Sequence, residues 1–302
     1  MPLKYLYQQL KNSPWFIAAV LLLIYLAVNG YKYSWDDQHL EIPLLKSLID
    51  PTLYQGDYYV ESLKKNFTSF FYPVLAKLIT VEQIPSVYFV LYLVSRYFLL
   101  FWTYKIWLHL SQNKFTAICC VLSFIMLIRV DEFLYRTFSH QEFALAIIMA
   151  GIYFFLKERF ILSALTLGFA ANIHALYSLF PFLYIWIYLL WQVRQHGLKT
   201  LLGSGMAFTI MCLPFLIWTF NNRIGHAVPP AMLQDWLTVA IIAAPQNFMF
   251  PQAPRIPLET LLGDIRIFIY LTQSYLLLAG LFFLNFFALP SFRQNKKYWP
   301  FL

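Results

Sequence analysis

Charged side chains are scarce in this chain. Asp, Glu, Lys and Arg make up 12% of its 302 residues, about half the share in an ordinary soluble domain, which excludes water as its main solvent. The three cysteines, Cys119, Cys120 and Cys212, all lie inside apolar runs. They give no disulfide framework and no metal-ligand spacing, and read as packing residues. The sequence has no phosphate-cradling Gly-rich loop, His-Glu-x-x-His pattern, Ser nucleophile elbow or Cys-x-x-Cys pair, which argues against soluble nucleotide chemistry. A net charge of +8 does not point to nucleic acid either, because the 22 Lys and Arg residues are scattered between apolar runs and form no basic stripe with interleaved aromatics.

What the chain has in abundance is apolar surface: 60% of residues are hydrophobic and 20% aromatic, with Tyr and Trp near the ends of many apolar runs. That placement suits the headgroup region of a bilayer. The expected fold is all-α: a polytopic integral membrane protein of about eight transmembrane helices, forming a single transmembrane domain over residues 1–302.

A spanning helix needs about 20 apolar residues. On that measure helices are expected near 14–33, 87–109, 115–130, 142–156, 160–177, 178–193, 200–220 and 267–289. The run Trp15 to Val28 follows Lys4 and Lys11 and lacks a small-x-small cleavage site, so it reads as an uncleaved first helix. Residues 67–84 are apolar at helical spacing but include Pro73, Lys77 and Glu82, a pattern for a helix lying at the interface.

Charge sets the orientation. With a cytoplasmic N-terminus, the inner loops hold Lys4, Lys11, Lys114, Lys157, Arg159, Arg194, Lys199, Arg293, Lys296 and Lys297, a positive-inside arrangement. Thirteen of the fourteen acids then face outward, with Glu158 the exception. The outer segments are 34–86, 130–141 and a Pro-rich loop at 221–266. The ending from Lys296 to Leu302 reads as the start of another helix, so a truncated or split version of a longer protein is expected.

The first outer segment opens Tyr33-Ser-Trp-Asp36-Asp37-Gln-His39-Leu-Glu41. Adjacent carboxylates at a helix exit could act as general base, bind a divalent cation, or both; they could equally be an acidic, solvated helix end. Ile42, Leu44, Leu45, Leu48 and Ile49 then repeat at helical spacing until Asp50-Pro51 stops the helix.

One membrane helix, a loop opening on Asp-Asp, an amphipathic helix, and an apolar interfacial segment from Phe70 to Leu78 together resemble the start of the C-type glycosyltransferases. The run from Asp50 to Asp57, with Tyr54 and Gly56, also resembles bacterial membrane proteins placed near that superfamily. The resemblance covers about the first 110 residues and implies a polytopic enzyme of a bacterial inner membrane. Such an enzyme takes a sugar from a polyprenyl-phosphate carrier on the outer face. It also implies that Asp36 or Asp37 deprotonates the acceptor hydroxyl or holds a metal ion near the carrier phosphate. The expected partners are a lipid-linked sugar donor, membrane lipids and a partner membrane subunit, with no nucleic acid.

Further candidates for substrate binding are His39, Arg96, Arg136, His140, His174 and Arg255. Arg136 and His140, opposite Asp131, Glu132 and Glu142, could clamp a phosphate and shuttle a proton; surface ion pairs are the plainer alternative. Arg96 lies within an apolar run and calls for a partner or a wet cavity, and His174 at a helix end calls for a hydrogen bond. Arg255 sits in the Pro-rich loop, where it could contact the carrier phosphate. Two other classes compete: a transporter or flippase, which predicts repeats and paired broken helices, and a catalytically inactive scaffold.

Overall fold

A computed structural model describes residues 13–131 and 136–223, with the side chains of 127–131 and 223 left aside. The chain divides into two compact units between Phe220 and Asn221, and the site belongs wholly to the first. Among the described residues every regular element is helical, twelve α-helices and one 3-10 turn, so the all-α expectation holds there.

Helix α1 (Pro14–Asn29) opens with Pro14, whose missing N–H is not needed in a first turn, and stops at Gly30, which takes φ 74°. That glycine ends the helix short of the expected residue 33. Helix α2 (Gln38–Ile49) is the expected amphipathic helix, burying Ile42, Leu44 and Leu45 and ending before Asp50. Helix α3 (Tyr58–Asn66) starts where the Asp57 carboxylate accepts from the N–H groups of Tyr59 and Val60 at 2.9 and 3.1 Å.

The expected interfacial segment 67–84 contains only a short helix, α4 (Phe71–Ala76). Its end, the 3-10 turn Val81–Gln83, is closed by a Thr80/Gln83 capping box and runs straight into α5 (Ile84–Ser111). Five more helices make up most of the remaining body: α6 (Lys114–Asp131), α7 (His140–Leu156), α8 (Phe160–Ala171), α9 (Ala175–Trp191) and, after the single turn α10 (Val193–His196), α11 (Leu198–Met211). Helix α12 (Leu213–Arg223) follows directly. Helix α5 packs on α1, α6 and α7, and α8 lies against α7, α9 and α11.

Two of the expected helices are cut. The single run 200–220 is two helices bent by 65° at Cys212, next to Pro214, which cannot donate to the preceding turn. Asn172 stabilises the break: its side-chain amide donates to the Met211 carbonyl at 2.7 Å and its side-chain oxygen accepts from Phe215 N–H at 3.1 Å. The Asn172 main-chain carbonyl accepts from Phe70 N–H at 2.9 Å, tying in the start of α4. The expected 160–177 helix ends early, at Ala171, and residues 172–174 form the joint between α8 and α9.

Among the described residues, by length and composition, one helical stretch, Val81–Ser111, can cross a membrane alone, and a second if the bent pair counts as one span. Helices α1, α7, α8 and α9 are apolar but only 12 to 17 residues long. The helix expected at 267–289 and the loop 221–266 lie outside the described residues.

The core of this unit is aromatic as well as aliphatic: Tyr25, Tyr72, Tyr88, Tyr92 and Tyr104 are fully buried beside Leu45, Leu99, Val121 and Phe138. Large apolar side chains also cover the outside, with Leu23 66%, Met206 65%, Phe220 64% and Ile210 60% exposed. Helix α8 makes its closest approaches through glycines. A Cβ on Gly168 would stand 2.6 Å from the Phe208 carbonyl oxygen of α11, and one on Gly151 of α7 would stand 2.8 Å from Leu167.

Candidate functional site

The start of α2 and the start of α7 meet. Asp37 and Glu41 are one helical turn apart, linked by the Glu41 N–H to Asp37 carbonyl bond at 3.0 Å, which puts both carboxylates on one side of α2. Facing them are consecutive residues of α7. His140 Nδ1 is 2.8 Å from Glu41 Oε1, and the Gln141 side-chain amide donates to Asp37 Oδ2 at 3.2 Å. The Ser139 hydroxyl accepts from Gln141 N–H at 3.2 Å and fixes the first turn of α7.

Further bonds join the same two segments. Gln38 Nε2 donates to the Phe138 carbonyl at 2.9 Å while its oxygen accepts from Ser34 N–H at 2.7 Å. Lys32 N–H donates to the Arg136 carbonyl at 2.7 Å. The Tyr72 hydroxyl of α4 lies 3.2 Å from His140 Nδ1. Burial, with the Glu41 charge added, holds the Tyr72 hydroxyl well above its ordinary value, so it stays a neutral donor. With the Nδ1 proton in place, the imidazole donates to the Glu41 carboxylate.

Asp36 and Asp37 differ in setting. Asp36 is exposed and adopts φ 51°, a left-handed turn that Asp tolerates better than most residues. Asp37 is half-buried. Burial raises its carboxyl above the ordinary range, Glu41 adds to the rise, His140 opposes it and Asp36 contributes least. A carboxylate that gives up its charge more readily is a better base for an alcohol. Among the described residues no group of three or more His, Cys, Asp or Glu is set to hold a metal ion. Asp36, exposed, and Asp37, engaged by Gln141, are the two carboxylates that would hold a divalent cation beside a carrier phosphate.

The other candidates fall into three groups. His174 is the N-cap of α9, accepting from Tyr177 N–H at 3.2 Å, with its ring 5.5 Å from that of His140. Burial, then the nearby His140, lowers it to about 4, so it is neutral at physiological pH. Arg96 is fully buried on α5, ion-paired with Glu142 of α7, and donates to the Thr137 carbonyl. Its guanidinium lies 4.9 Å from the Tyr92 ring and 5.6 Å from that of Tyr25. His39 is exposed on α2, Arg136 is partly buried beside the joined loops, and Arg255 lies outside the described residues.

Glu41, in the sequence only one of the outer acids, belongs to this site, as do Tyr72 and Gln141, which no sequence motif marks, and Glu142 is the partner of Arg96. The four-residue spacing of Asp37 and Glu41 was a usable signal. Comparison with known protein families, curated proteins and solved structures returns no match.

Proposed function

We propose that this chain is a polytopic membrane protein of about eight spans, of the bacterial inner-membrane type with a cytoplasmic N-terminus, acting as a C-type glycosyltransferase. It transfers a sugar from a polyprenyl-phosphate carrier to an acceptor at the outer face. The apolar side chains exposed on α1, α11 and α12 support a lipid environment, since in water they would form large uncovered patches.

The observation that carries the enzyme reading is Asp37: a half-buried carboxylate, held by Gln141, with its proton affinity raised by burial and by Glu41. Asp37 accepts the proton of the acceptor hydroxyl as that oxygen bonds to the anomeric carbon. The bond from that carbon to the carrier phosphate breaks, and the phosphate departs with the electron pair. Arg136, beside the joined loops, is the candidate cation to neutralise it; His140 faces Glu41.

A transporter is the second reading, favoured by the buried Arg96–Glu142 pair between α5 and α7 and by the broken helix at Cys212. The test is transfer of radiolabelled sugar from a panel of polyprenyl-phosphate sugars, in membranes expressing the wild type or Asp37→Asn. Transfer lost in the variant at equal expression supports the enzyme. A well-folded wild type that transfers nothing sinks it and leaves the transporter or a scaffold.

A further inference from the structure

We infer that Glu41, His140 and Tyr72 are positioning residues that seat the first turn of α2 against α7, so that Asp37 is presented to substrate in one orientation. The inference rests on the enzyme reading and adds residues to it.

The geometry runs through consecutive positions. Glu41 and Asp37 share a side of α2, and their partners His140 and Gln141 are neighbours on α7. Fixing Glu41 therefore fixes the height and rotation of α2 at which Gln141 reaches Asp37. Tyr72 closes the cluster from α4, with Phe67 against the other ring surfaces: its centroid lies 5.4 Å from Tyr72 and 5.2 Å from His140. Glu41 is 2% exposed, His140 5% and Tyr72 0%, so none of the three is available to touch substrate directly.

Packing alone does not account for the cluster. A buried carboxylate and imidazole cost desolvation that apolar side chains of the same volume avoid, so such a pair adds directional specificity more readily than stability. What it fixes here is a neighbouring carboxylate 3.2 Å from its own amide donor. Misplacing a reacting group by about 1 Å can cost about 10²-fold in rate.

The experiment compares Glu41→Leu with Glu41→Gln in membranes of known expression, reading kcat and KM for sugar transfer and amide hydrogen exchange over residues 34–42. Glu41→Leu removes the acceptor that faces His140; kcat should fall about 10²-fold with KM unchanged, and exchange in 34–42 should quicken. Glu41→Gln keeps an acceptor oxygen and should recover most of the rate and the protection. Quickened exchange with an unchanged kcat would make the cluster structural and overturn the inference, as would unchanged exchange in Glu41→Leu. A wild type with no transfer from any donor would instead overturn the enzyme reading.

Discussion

Glu41 and His140 are separated by 99 positions in the chain, yet their side chains meet at 2.8 Å. The contact joins the start of α2 to the start of α7, beside the Gln141 bond that sets Asp37 apart from the exposed Asp36.

Asp37→Asn should reduce transfer by about 10² to 10⁴-fold, the range for losing a general base. Asp36→Asn should change it far less, because Asp36 is exposed and Asp37 carries the Gln141 bond. Transfer assays on the two single variants at matched expression check this; equal losses would count against the assignment.

The pH dependence of transfer follows from the raised Asp37 carboxyl. The base must be ionised to accept a proton. Raising its pKa means that the ionised form is lost at a higher pH as the medium is acidified. The acid limb of kcat/KM should therefore lie above the ordinary Asp value of about 3.9. A limb at or below that value would argue against Asp37 as base.

His174 gives a second pH effect, on stability. Its pKa is lowered to about 4 in the folded state, against about 6.5 unfolded. Between those values the unfolded chain binds the proton more readily, so stability falls as pH drops from about 6.5 toward 4. His174→Asn keeps a capping side chain and removes the titration. Thermal unfolding in detergent at pH 7.5 and 5 should show the acid loss in the wild type and a smaller one in the variant.

Arg96→Leu should destabilise the protein strongly, by about 3 to 5 kcal/mol, because it leaves the buried Glu142 carboxylate without this partner. The double variant Arg96→Leu/Glu142→Leu should recover much of that loss. Tm values of the two variants beside the wild type settle the point. A double variant no better than the single would mean that the pair stabilises in its own right.

Gly168→Ala should lower stability by about 1 to 3 kcal/mol through overpacking, since its Cβ would meet the Phe208 carbonyl oxygen at 2.6 Å. Gly203→Ala, whose nearest neighbour is Ile161 at 3.7 Å, should be neutral or slightly stabilising, as expected for a helical glycine. Tm shifts of the same sign and size at both sites would contradict the α8–α11 packing.

Apolar runs and the stop of α2 were legible in the sequence because they are local. The Asp50-Pro51 stop placed the end of α2 correctly, and the hydrophobic spacing of Ile42, Leu44 and Leu45 gave its buried side. The breaks were not read, because an apolar run looks the same whether straight or bent. Pro214 marked the break at Cys212, but its bonding partner Asn172 lies 39 to 43 positions away. The site was half legible for the same reason. Asp37 and His140 are chemically conspicuous, but pairing with Glu41, Tyr72 and Gln141 depends on which helix ends the fold brings together.

Asn172 constrains any attempt to cut, tag or lengthen this chain. Its one amide and one carbonyl hold Met211, Phe215 and Phe70 at once, so an insertion at 172–174 would detach three segments from a common anchor. The turn at Gln112–Asn113, exposed and already in a left-handed conformation at φ 55°, has no such ties to distant segments among its described bonds. An epitope or a fluorescent reporter belongs there, where added residues displace only the two helices that the turn connects.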